Sequence, residues 1–259
     1  LSVNQNNFHV LQAAVDEGYD GTEPAVVTVR LKRHVVIGST SNATYSLNFG
    51  GDSAIDGVNW ASGTVHVWRN DGGIVSGKGG EAGDGGLSGI SIWEGTPGEF
   101  GGTAVRAAID LLVYNGAANA PGTVQGGGGG GGGGSTSPSL INLQGGSGGG
   151  GAGATVLANG AVTGGEAGYR WPGTSTPVDG QLFVGGIYGL GNTVGTDTAG
   201  RGGYGGAPGT AGDPGRTLND GADNQPGGPA GYAFSRAASA TITFAPGAGG
   251  VVVGGTIVE

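Results

Sequence analysis

The residues best suited to chemistry in this chain stand in its least periodic stretches, between blocks of glycine. Trp93 and Phe100 share one proline- and glycine-rich connection, and Tyr169, Arg170 and Trp171 share a second. Arg216 and Asn219 open a polar loop that runs to Pro226. Tyr and Trp combine large rigid area with a polar handle, so the chemistry on offer is recognition of a surface. These seven are the candidate binding residues. An aromatic beside glycine has a competing use, which is to cap the end of a packed layer. Phe183 and Tyr188, flanked by Leu182, Val184 and Ile187, suit that use better, and Arg201 and Tyr204 lie within a periodic tract whose outside they would coat.

Catalysis and metal binding find no comparable support. G-x-G-x-x-G patterns recur, but in so glycine-rich a chain they carry almost no information. Gly77-Lys78 is followed by Gly79, not by Ser or Thr, so there is no P-loop. Gly79-Gly80-Glu81-Ala82-Gly83-Asp84 has the wrong order for a calcium-binding nonapeptide. His9, His34 and His66 are far apart, and the pairs Asp52/Asp56 and Asp213/Asp220 are not convincing dyads. With no cysteine, disulfides and thiolate metal sites are excluded. The expectation is a protein that is not an enzyme and holds no metal or cofactor. A net charge of −9 argues against nucleic acid as a general partner. No long apolar run suggests membrane insertion. There is no methionine and the first residue is Leu1, so the chain reads as a processed or partial segment.

The elements that would hold those loops are written in the spacing of glycine. Gly200, Gly203, Gly206, Gly209, Gly212 and Gly215 keep a three-residue period, as do Gly77, Gly80, Gly83, Gly86 and Gly89. Gly126 to Gly134 is unbroken, and Gly145, Gly148 and Gly151 follow. Three residues per turn is the period of the polyproline-II-type helix, whose amides and carbonyls must find partners outside it. Ordering a residue costs about 1–2 kcal/mol, most for glycine, and a hydrogen bond returns about 0.5–1.5 kcal/mol, so a lone glycine helix cannot form. The expected fold is mostly irregular and extended with minor β and very little α: a polyglycine-II helix bundle, or sandwich. Glycine makes up 66 of 259 residues, yet charged residues are only 11%, which disfavours disorder.

Residues 1–70 read differently, as a small α+β or β module for attachment, with the glycine-rich bundle over 71–259. Phe8, Leu11 and Val15 at helical spacing, stopped by Gly18, predict a short helix. Val27, Val29 and Leu31 alternate with polar residues, and Thr64 to Trp68 is a second strand candidate. Beyond residue 71, Ile109 to Tyr114 and Ala240 to Phe244 also read as strands. If the tracts run up and down, 90–100, 135–144, 169–184 and 216–226 share one tip, and 169–199 is a single long connection. Loops on a rigid post are where recognition is carried.

Glycine tracts alternating with aromatic and polar loops behind a small amino-terminal module resemble the distal tail-fibre adhesins of T-even-type bacteriophages. The carriers are Gly126–Gly134, Gly145–Gly153, Gly200–Gly215 and the steps Asn115-Gly116 and Asn159-Gly160. The opening segment, from Asn7-Phe8 through Gly18-Tyr19-Asp20-Gly21 to Ile37, is similar to modules of phage fibre proteins. The resemblance implies a polyglycine-II sandwich in the virion, at the extracellular tip of a tail fibre. Its tip loops would bind an outer-membrane protein or surface glycan of a Gram-negative host. Its amino-terminal part would dock on a trimeric fibre shaft. No binding residue transfers one by one, because tip loops vary within that family. The rival readings are an ice-binding protein, which the bulky aromatic loops oppose, and a passive structural segment of a fibre.

Overall fold

The computed structural model describes residues 1–259 apart from 51–53, 89–93, 118, 138–141, 170, 171, 173, 222, 223 and 248. The chain visits three sheets in a fixed rotation. β1 (Gln5–Asn6) enters the first sheet and β2 (Phe8–His9) the second; after helix α1 (Val10–Asp16), β3 (Val26–Leu31) enters the third. β4 (Val36–Gly38), β5 (Leu47–Asn48) and β6 (Val65–Asn70) repeat that order, and β7 (Ile74–Ser76), β8 (Val105–Ala107) and β9 (Leu111–Ala117) repeat it again. β10 (Ala120–Pro121) folds back antiparallel on the end of β9. β11 (Thr123–Gln125) then opens a fourth coil on the first sheet. That coil is completed by β16 (Phe234–Arg236) and β17 (Ile242–Phe244), and β18 (Val251–Val253) and β19 (Thr256–Val258) start a fifth. Apart from β10, each of these strands pairs in parallel with its counterpart one coil away. The result is a three-sided parallel β-solenoid. All three of its sheets combine strands from both sides of residue 70.

Period-two alternation tells each strand which side faces in. In β3, Val29 and Leu31 are buried while Val26, Thr28 and Arg30 are exposed. The enclosed core stacks Phe49, Trp68, Phe234, Leu47 and Leu111, none more than 2% exposed. Fully burying each such side chain is worth about 1.5–3 kcal/mol. One corner is turned by a short asparagine ladder. Asn70 donates from Nδ2 to Asn115 Oδ1 at 3.0 Å, and its own Oδ1 accepts from the Gly73 amide at 2.8 Å. The helix expected near the start is α1, where the His9 ring accepts from the Gln12 amide at 3.3 Å and Gly18 ends the turn at φ +96°. No helix among the described residues is long and apolar enough to cross a membrane.

The glycine tracts leave the solenoid at one corner, between its first and second sheets. Residues 77–104 are inserted between β7 and β8, and residues 126–233 between β11 and β16. A buried polar layer marks the exit: Ser46 Oγ donates to the Ser76 carbonyl at 2.6 Å, and Gln125 Nε2 reaches Ser76 Oγ at 3.1 Å and the Leu182 carbonyl at 2.7 Å. Beyond it the chain runs outward over 77–88, 126–137, 164–169, 184–192 and 210–216, and back over 94–104, 142–154, 174–181, 199–209 and 224–233. Turns near the solenoid join them at 181–184 and 207–210 and through the hairpin β12 (Thr155–Val156) with β13 (Val162–Thr163).

The run 126–134 lies in the middle of these segments. Gly127, Gly130 and Gly133 donate to the carbonyls of Gly102, Glu99 and Thr96. Gly128, Gly131 and Gly134 donate to Ala152, Gly149 and Gly146, while Gly129, Gly132 and Ser135 donate to Thr210, Asp213 and Arg216, all at 2.7–3.0 Å. Carbonyls along the same run accept from Gly80, Gly83 and Gly86, from Gly200, Gly203 and Gly206, and from Gly228 and Gly231. Six neighbours therefore surround one run, and only glycine fits there. A Cβ built on Gly131 would lie 2.1 Å from the Gly203 carbonyl oxygen, and one on Gly133 would lie 1.8 Å from that of Asp84.

This architecture corrects the fold expected from glycine spacing. The molecule is not a mostly irregular polyglycine-II bundle with minor β. Its regular structure is mostly β-sheet, organised as three five-stranded and largely parallel sheets with a single α-helix among the described residues. The reason is physical. Strands of two to seven residues pair across long sequence separations, as Phe234 does with Val105, so no local period announces the sheets. A second correction concerns 169–199. That stretch is two further crossings, back over 174–181 and out over 184–192, rather than one connection. An outer segment needs glycine only where it packs closely against a neighbouring segment, as at Gly186, whose Cβ would lie 1.8 Å from the Val178 carbonyl oxygen.

Candidate functional site

Five connections meet at the end of the glycine segments remote from the solenoid. They are flanked by Ser88 and Glu94, by Ser137 and Asn142, by Tyr169 and Thr174, by Asn192 and Ala199, and by Arg216 and Asn224. We call this end the crown. One of its connections is a hairpin of β14 (Thr193–Val194) and β15 (Asp197–Thr198), turned at Gly195 with φ +66°. Another contains a 3₁₀ turn over Leu218–Asp220, in which Asn219 takes a left-handed backbone at φ 57°.

Hydrogen bonds splice the connections to each other. Ser88 Oγ accepts from the Leu143 amide at 2.7 Å, and the Ser88 amide returns a bond to the Leu143 carbonyl at 2.9 Å. Asn192 accepts from the Gln144 amide at 2.6 Å and donates to the Asn142 carbonyl at 2.8 Å. Asn219 accepts from the Thr198 amide at 2.8 Å, and Asn224 donates to the Glu94 carbonyl at 2.6 Å. Four connections thus close into a ring. The one flanked by Tyr169 is tied from the side: its Tyr169 amide donates to Asp84 Oδ1 at 2.6 Å, its carbonyl accepts from Ser147 Oγ, and Ser175 Oγ accepts from the Leu190 amide.

Between the hairpin and the 3₁₀ turn lies an open groove of about 430 Å³, lined among others by Leu190, Thr193, Thr198, Arg201 and Asn219. The Thr193 and Thr198 hydroxyls bond each other at 3.0 Å. Below the groove, on the flank, the Arg201 guanidinium lies 4.5 Å from the centre of the Tyr188 ring, and Tyr188 meets Tyr204 edge-on at 4.6 Å. The bond to Tyr188, together with that neighbour's charge, raises the pKa of the Tyr204 hydroxyl above its ordinary value. The site can offer hydroxyls, a guanidinium and small apolar patches, which is equipment for contact.

Of the seven candidate residues, Tyr169, Arg216 and Asn219 stand at the crown, with Tyr169 61% exposed. Phe100 does not. It lies on the flank close to the solenoid, where its carbonyl accepts from Asn42 Nδ2 at 3.1 Å. Trp93, Arg170 and Trp171 lie outside the described residues. Asn192 and the 193–198 hairpin were not singled out by sequence, although Asn192-Thr193 and Gly195-Thr196-Asp197 carry ordinary turn chemistry.

Both the sequence and the fold have relatives among known proteins. The model of the phage tail fibre adhesin Gp38 family matches residues 1–257. The chain belongs to that family. It is a phage tail-fibre adhesin and a component of the virion. No curated protein matches it. Among solved structures, the adhesin is similar to a chain of the gp37-gp38 adhesin tip complex of the bacteriophage S16 long tail fibre, at 21% identity and a TM-score of 0.52. The match covers 99% of this adhesin and 81% of that chain, and it supports the fold.

Proposed function

We propose that the crown is the receptor-binding surface of this adhesin, and that a host outer-membrane protein or surface glycan is its target. The observation that carries the reading is the ring of spliced connections at the end of the scaffold farthest from the solenoid. Loops held rigidly at a remote end can be exchanged without disturbing the core beneath them, and binding residues concentrate on such loops. The solenoid would carry the other contact. The S16 relative is part of a complex with gp37, which supports docking of this adhesin on a fibre shaft; the solenoid, at the end remote from the crown, is the part we assign to that contact. Its action is binding, without a catalytic step or cofactor.

The test is a loop exchange. Replacing residues 193–198, or Tyr169 with its neighbours, by the corresponding loop of another phage adhesin should change which cells the particle adsorbs to. Thermal stability should stay within about 1 kcal/mol, as for surface changes away from packed groups. If adsorption and host range are untouched by exchanges at every crown connection, the reading fails.

A further inference from the structure

We propose that Asn192, Asn219 and Asn224 are positioning residues, whose side chains join successive crown connections into one preorganised surface without touching the receptor themselves. The inference rests on the crown being the receptor-binding surface. Each of the three uses its side-chain amide group against the backbone of a different connection. Asn192 spends both ends, accepting from Gln144 and donating to the Asn142 carbonyl. Its backbone amide repeats the tie by donating to the Gln144 carbonyl at 3.0 Å, and its carbonyl closes its own connection by accepting from Ala199 at 2.9 Å. Asn219 spends its oxygen on the Thr198 amide, and Asn224 spends its nitrogen on the Glu94 carbonyl.

Backbone groups are the partners in every splice, so the splices do not depend on the sequence of the loop they hold. That is the arrangement a variable recognition surface needs: the ties stay while the tips change. Preorganisation strengthens binding by removing the ordering cost from the binding step. Asn is also the right residue at 219 for a local reason. Its backbone is left-handed at φ 57°, a conformation that Asn, Asp and Gly tolerate and most residues do not.

That backbone makes a clean pair of variants possible. Asn219→Gly keeps the left-handed turn and removes the oxygen that holds Thr198. Asn219→Asp keeps both the turn and the oxygen while removing the amide that a contact role would use. Amide exchange is followed at Thr198, and binding of the whole adhesin is measured on cells that the wild-type protein binds. For Asn219→Gly, exchange at Thr198 should accelerate and binding should weaken, each by about tenfold at most, the worth of one hydrogen bond. Asn219→Asp should match wild type in both. Asn192→Ala should accelerate exchange at Gln144 and weaken binding in the same way.

Unchanged exchange in Asn219→Gly and Asn192→Ala overturns the splice itself. Faster exchange with wild-type cell binding overturns the positioning role and leaves the crown as receptor surface to be decided by the loop exchanges. Weak binding by Asn219→Asp despite slow exchange at Thr198 makes Asn219 a contact residue, which also overturns the proposal.

Discussion

His66 stands inside the solenoid, 2% exposed, with neither ring nitrogen hydrogen-bonded. It packs edge-on against Trp60 at 4.6 Å and near Phe49 at 6.5 Å, so burial drives its pKa down to about 4. The unfolded chain would protonate this histidine near 6.5, so between those values the unfolded state binds more protons than the folded one. Stability therefore holds above about pH 6.5 and is lost as pH falls toward 4. At about 1.4 kcal/mol per unit, that loss is on the order of 3 kcal/mol. His66→Phe keeps the aromatic contacts and removes both the proton site and two unpaired buried nitrogens. Denaturant titrations at pH 7 and pH 4 should show the variant more stable than wild type at both, with a smaller loss between them. An equal acid loss in both proteins would assign the sensitivity to other groups. Nothing in the sequence reveals this: His66 is one of three scattered histidines, and its environment is set by the winding of strands on either side of it.

At the scale of elements, glycine in the scaffold is a contact requirement, and it differs in kind from glycine in a turn. Gly131 faces the Gly203 carbonyl so closely that a methyl group forces two backbones apart. Gly160, in the hairpin of β12 and β13, has φ +80° and nothing within 4 Å of a Cβ. Gly160→Ala should cost about 1–2 kcal/mol, the strain of the left-handed backbone alone. Gly131→Ala should cost more than about 4 kcal/mol or abolish folding of the scaffold, because it breaks a close-packed layer. Denaturant unfolding of the two variants separates the cases, and similar costs would contradict the close approach at Gly131. The spacing of glycines along 126–134 and 200–215 was legible because this contact rule repeats in the sequence. The strands at Val26–Leu31 and Val65–Asn70 were legible through their alternation. The three-sided winding was not, since its information lies in pairing between residues as distant as Thr123 and Val251. For the crown, exposed polar loops were visible as composition, which found Asn219. Asn192 was missed because its role depends on Gln144 arriving beside it from a different segment.

For the whole molecule, the decisive feature is that the scaffold is inserted into the solenoid rather than appended to it. Both insertions leave a strand of the first sheet and return to a strand of the second, and elsewhere the same step is made by residues 39–46 between β4 and β5. A short link is therefore sufficient to close a coil at that corner. The buried cluster containing Phe49, Trp68, Val105, Val124 and Phe234 comes from solenoid strands and their flanks, and the inserted segments add to it only their last residues, Ala104 and Ala233, for which the alanine-sized end of a short link can substitute. A chain in which 77–104 and 126–233 are each replaced by a copy of 39–46 should fold as a solenoid and melt cooperatively. On the proposed division of labour, it should still bind the distal end of its fibre shaft and should no longer bind host cells. Retained cell binding by this shortened chain would move the receptor surface to the solenoid. Loss of shaft binding from a folded solenoid would move the docking contact into the inserted segments. Retained shaft binding with lost cell binding assigns the two contacts to the two parts that the winding of the chain keeps separate.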